Sequence, residues 1–88
     1  MSSPVDMRKV LEVVRFSQPY YRRVKLSAPP GRIWLLKSER PGDLGQRCDR
    51  AVRRAVELGL AFVDDGLREL RPTVTGVAAL PVEWRRDC

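Results

Sequence analysis

The sequence predicts a small α+β domain: three helices, a β-hairpin and a short closing helix. Three observations carry this. Residues 43–59 split cleanly on a helical wheel, with Cys48, Ala51, Val52, Ala55, Val56 and Leu58 on one half and Arg47, Asp49, Arg50, Arg53, Arg54 and Glu57 on the other. Asp64-Asp65-Gly66 lies between apolar-containing runs, a strong short-range hairpin signal. Thr73 or Thr75 then stands where a cap would start a last helix, Gly76 to Leu80, closed by Pro81.

The first helix is expected over 4–16. Ser3 can cap it, Pro4 suits the first helical position and Asp6 sits where a capping-box acid would. Met7, Val10, Leu11 and Val14 recur at helical spacing as a core stripe, and Pro19 stops the helix. Residues 20–38 admit two readings. Tyr20–Leu26 and Arg32–Lys37 are compatible with two strands around Ala28-Pro29-Pro30-Gly31, or Pro30 opens a second helix over 30–40. The run Ile33-Trp34-Leu35-Leu36 is apolar all round and has no period to decide between them; the short helix is preferred, with Trp34 as a core anchor. The amphipathic helix follows, stopped by Gly59. In the hairpin over 60–71, Pro72 ends the second strand because it cannot donate to a ladder. Residues 1–82 form the domain and 83–88 a tail, with Trp84 available to dock on the core.

Eighty-eight residues make one domain, and 43% hydrophobic content is enough for a core. No run approaches the ~18 apolar residues of a membrane span and no signal peptide opens the chain, so a cytoplasmic location without membrane contact is expected. The net charge of +6 is uneven: Arg8–Arg54 holds thirteen Lys/Arg against four Asp/Glu, whereas Ala55–Cys88 holds four against six. A basic half suits a polyanion, although fourteen Arg against three Lys also fits an Arg-rich coding bias. Without His, and with only Cys48 (on the apolar helix face) and the terminal Cys88, neither a Cys/His zinc site nor a structural disulfide is expected. Catalysis lacks a His base, a glycine-rich phosphate loop and an activated nucleophile, so no enzyme and no cofactor are expected. Asp64-Asp65 reads as turn chemistry rather than a metal pair.

The basic helix face carries the functional expectation. Arg47, Arg50 and Arg54 recur at i, i+3, i+7, while Arg53 stands four residues from both Asp49 and Glu57 and is the most neutralised. A helix fits the DNA major groove, where Arg bonds guanine or clamps phosphate. A second cluster, Arg22, Arg23 and Lys25 after Tyr20-Tyr21, mixes cations and aromatics as single-strand binders do; an exposed strand edge kept soluble by charge accounts for it equally.

Leu58-Gly59-Leu60, Asp65-Gly66 and Thr73-x-x-Gly76-x-x-x-Leu80, in this order, resemble the second half of winged helix-turn-helix regulators of the MarR and PadR type. The resemblance implies a duplex DNA-binding transcription regulator, often a homodimer, with a recognition helix at 46–58. Helix 30–40 would support it across the Arg40-Pro41-Gly42-Asp43 turn. Arg47, Arg50 and Arg54 would contact bases or phosphates and Arg53 a flanking phosphate. Arg68 and Arg71 would reach the backbone beside the wing, with Lys37 and Arg40 bracing the helix. The acidic wing tip departs from the pattern and favours an alternative: a winged-helix shell that docks on a protein partner.

Overall fold

The computed structural model describes residues 6–19, 21–27, 31–38 and 40–85. Helix α1 (Met7–Ser17) precedes strands β1 (Arg23–Leu26), β2 (Trp34–Lys37) and β3 (Gln46–Arg47). Helix α2 (Asp49–Glu57), strands β4 (Ala61–Asp64) and β5 (Glu69–Pro72), helix α3 (Val74–Ala79) and a 3-10 turn at Val82–Trp84 follow. The strands form one antiparallel sheet in the order β3-β2-β1-β5-β4. The α+β class is as expected, with a larger sheet than the sequence indicated.

Helices α1 and α2 pack on each other and on one face of the sheet, and α3 joins α1 and β5. The core is Val10, Val13 and Val14 from α1 and Ala51, Val52 and Ala55 from α2. Val24, Leu36, Ala61 and Leu70 from the strands complete it with Leu60 and Leu80. Side chains alternate along a strand, so these residues fix which face each neighbour takes.

Helix α1 starts later than expected. Asp6 is itself the cap, its carboxylate accepting from the Arg8 amide at 3.0 Å; Ser3 and Pro4 lie outside the described residues. At the far end, the Gln18 amide donates to the carbonyls of Arg15 and Trp84, both at 3.0 Å. The Arg15 guanidinium lies over the rings of Trp84, Phe16 and Tyr21, at 4.9, 5.2 and 5.5 Å. Trp84 therefore docks, and the chain up to it belongs to the domain rather than to a tail.

The helix expected over 30–40 is not formed. Trp34–Lys37 is a strand paired with β1, Lys37 opposite Arg23 and Trp34 opposite Leu26. In the sheet Leu36 turns to the helices while Leu35 turns the other way, which satisfies a run with no helical period. There is accordingly no helix-turn-helix made from 30–40 and 46–58. The Arg40–Asp43 turn joins β2 to β3 instead. Asp43 organises it, accepting from the Ser38 amide (3.1 Å), the Ser38 hydroxyl, the Gly45 amide (2.8 Å) and Arg22 Nη2 (2.7 Å).

Helix α2 is shorter than the 46–58 expected. Gln46 and Arg47 are held as strand opposite Leu36 and Leu35. The Asp49 carboxylate accepts from the Trp34 amide at 2.6 Å, pinning the first turn to β2. The helix ends as the sequence indicates: Gly59 adopts φ +74°, and the amides of Gly59 and Leu60 bond back to Val56 and Ala55.

The hairpin forms with a four-residue connection, Asp65–Arg68, between Asp64 and its partner Glu69. Asp64 accepts from the Leu67 amide at 3.2 Å, the turn role expected of it. Thr73, not Thr75, caps α3, its hydroxyl accepting from Gly76 at 2.9 Å and donating to Gly59 at 2.6 Å. That lays α3 directly on the chain at Leu60. A Cβ at Gly76 would stand 1.8 Å from the Leu60 carbonyl oxygen, so only glycine fits there.

Candidate nucleic-acid interface

The eight cations singled out in the sequence do not form one surface. Arg50, Arg53 and Arg54 lie exposed on the solvent side of α2, away from Ala51, Val52 and Ala55. Arg47, Lys37 and Arg71 belong to the opposite face of the sheet, which no described helix covers. Their partners in the ladder show this: Arg47 stands opposite Leu35, Lys37 opposite Arg23 and Arg71 opposite Phe62, all in the alternate phase to the core residues Leu36, Val24 and Leu70. Arg40 sits in the turn beside Lys37. Arg68, at the hairpin end, donates to the Ser27 carbonyl at 2.6 Å and bridges the two hairpins rather than reaching outward.

Pairing on α2 differs from the sequence expectation. Asp49 bonds Arg47 (3.0 Å) and Glu57 approaches Arg54 (3.3 Å), neither choosing Arg53. Arg50 and Arg53 have no carboxylate partner among the described residues. The reason is geometric: Asp49 is committed to the Trp34 amide and faces back toward β3, and Glu57 is three residues from Arg54 on the same flank. Exposed pairs of this kind contribute ~0–1 kcal/mol and are easily exchanged for a stronger anion.

The uncovered sheet face also carries Arg23, Lys25 and Glu69. Glu69 is nearly buried and shared, 2.9 Å from Arg23 and 3.7 Å from Lys25. Arg71 Nε lies 3.3 Å from Asp64 without hydrogen-bond alignment. Among the described residues five cations thus stand on this face against two carboxylates, Glu69 and Asp64. The sequence flagged Arg22, Arg23 and Lys25 as one cluster, but strand alternation divides it. Arg22 turns aside to Asp43, and β1 is a central strand rather than an edge. Sequence reasoning did not join Phe62 to these cations, because only the β1–β5–β4 pairing brings them together.

Asp43 is a structural acid. Its hydrogen bonds, that from Ser38 foremost, hold its carboxyl far below the ordinary range. Asp49 is also lowered: hydrogen bonds from Trp34 and Arg47 outweigh the desolvation that opposes them. The Cys48 thiol packs against the core and is pushed up to about 12 by burial, with the Asp49 charge adding to it. Among the described residues no three His, Cys, Asp or Glu side chains converge as a metal site, and no helix is long and apolar enough to cross a membrane. The chain matches no family model, no curated protein and no solved structure.

Proposed function

We propose that the protein binds duplex DNA through the solvent side of α2, with Arg50 and Arg53 as the principal contacts and Arg54 beside them. The observation that carries this is the exposure of Arg50 and Arg53 without a carboxylate partner among the described residues. Two such cations on one helix repel each other unless a polyanion sits between them, and a helix is the element a major groove admits. The succession of α2, hairpin β4–β5 and Thr73-capped α3 supports winged-helix kinship for residues 49–80. A regulator role and a homodimer rest on that kinship alone. The test is fluorescence anisotropy with a random-sequence duplex across a salt series, for the native chain and for Arg50→Ala with Arg53→Ala. The double variant is expected to flatten the log–log salt slope by about 1.8, two phosphates at about 0.9 each. No native binding at low salt, or equal binding by the variant, refutes the reading.

Protein docking is a second reading favoured by one observation. Strand β4 ends the sheet with an open ladder edge, and Phe62, Val63 and, at the hairpin tip, Leu67 are exposed there.

A further inference from the structure

The uncovered face of the sheet carries a second group of cationic and aromatic side chains, apart from the solvent side of α2. Lys37 stands opposite Arg23, and Arg71 opposite Phe62. The pairing of Lys25 with Glu69, continued two residues along each strand, sets Arg23 across from Arg71. One row therefore reads Lys37, Arg23, Arg71, Phe62 from β2 to β4, three cations ending on an aromatic ring. At ~4.8 Å between strands the row spans about 14 Å.

The basic end of this row opens into a pocket of about 410 Å³ lined by Arg23, Lys25, Lys37 and Arg40 with Ser38 and Asp43. Among the described residues the carboxylates in and beside it are already committed. Asp43 is bonded by Ser38, Gly45 and Arg22, and Glu69 serves Arg23 and Lys25 together. Lys37 and Arg40 have no carboxylate partner among the described residues. At the other end Phe62 is 47% exposed, a large ring left in water beside a guanidinium. Of the two aromatics that the sequence set next to the basic cluster, Tyr20 lies outside the described residues and Tyr21 is occupied by Phe16 and Arg15.

We propose that this face binds single-stranded nucleic acid, with phosphates in the Lys37–Arg40 pocket and an unpaired base stacked on Phe62. A basic track beside an exposed ring is what a single strand requires, because its bases present free faces while those of a duplex are stacked on one another. The proposal stands whether or not α2 reads a duplex.

Anisotropy with labelled oligo(dT) and oligo(rU) of about 12 nucleotides tests it, beside a mixed-sequence duplex. The variants are Lys37→Ala with Arg40→Ala, Phe62→Ala, Phe62→Tyr, and Arg50→Ala with Arg53→Ala. Removing Lys37 and Arg40 is expected to flatten the single-strand salt slope by about 1.4, two phosphates at about 0.7 each. Phe62→Ala is expected to weaken single-strand binding at least about fivefold, the lower end for one stacked base, and Phe62→Tyr to restore it. The α2 variant should leave single-strand binding unchanged while it lowers duplex binding. Absence of single-strand binding at low salt overturns the proposal, as does native affinity in a folded Phe62→Ala chain or loss confined to the α2 variant. Should Phe62→Ala fail to fold, the exposed Lys37 and Arg40 pair decides alone: an unchanged slope overturns the proposal.

Discussion

Replacing Gly76 by alanine should destabilise the domain, although the same change in an open helix would strengthen it. Alanine gains about 1 kcal/mol over glycine in a helix interior. Here the added Cβ would lie 1.8 Å from the Leu60 carbonyl oxygen and 2.7 Å from its carbon, against the ~3.5 Å of ordinary contact. The neighbours are backbone, so α3 must retreat by roughly 1.5 Å. That breaks the Thr73 amide bond to Leu60 (3.1 Å) and the Thr73 hydroxyl bond to Gly59 (2.6 Å), each worth about 1 kcal/mol. It also lifts Leu80, 2% exposed, partly from the core, a loss of about 2 kcal/mol. Set against the propensity gain, the net cost is about 3 kcal/mol, which lowers the Tm of a domain this size by roughly 10–25 °C. Thermal melts followed by circular dichroism measure it. Gly66→Ala is the control, since a Cβ there meets only the Asp64 carboxylate oxygen at 3.5 Å. A Gly76→Ala chain that melts at or above the native temperature would refute the packing argument.

Two further outcomes concern the titrating groups. The Asp43 carboxyl titrates lower in the folded chain than the ~3.9 of an unfolded one, so its contribution is complete above pH ~4 and drains away as pH falls through the folded value. Urea midpoints should therefore drop in acid for the native chain and vary less with pH for Asp43→Asn, which should also be the weaker of the two at neutrality; parallel pH profiles would show that the loop does not depend on this carboxylate. Cys48, raised to about 12, should resist alkylation at pH 8 in a Cys88→Ser chain and react once urea opens the fold; prompt labelling of the native protein would contradict its burial.

Legibility followed the range of the interaction. The Gly59 stop, the hairpin at Asp64–Gly66 and the closing helix rest on contacts a few residues apart, and each was readable. The segment 20–38 was not, because Ile33–Leu36 carries no period and its conformation is decided by β1 on one side and β3 on the other. The same distant ladder shortened α2: the wheel over 43–59 is flawless, yet pairing of Gln46 with Leu36 and the Asp49 bond to Trp34 override it at the front. The candidate site divided for a related reason. The sequence identified the cations correctly as an excess of charge, but placing Arg47 and Arg71 on a sheet and Arg50 on a helix required knowing which strands are neighbours. The pairing preference of Arg53 was misread because i, i+4 spacing gives opportunity, not commitment, and both acids had better-placed partners.

The clasp between the end of α1 and Trp84 bears on how the molecule comes into being. Gln18 and Trp84 are 66 positions apart, so α1 leaves a ribosome well before the residue that closes over its end. At synthesis rates of about 5–20 residues per second, α1 spends some seconds with Val10, Val13 and Val14 uncovered before the sheet arrives. Native closure is thus a late, non-local event, and a nascent chain halted short of Trp84 would leave the Arg15 cation without its indole lid.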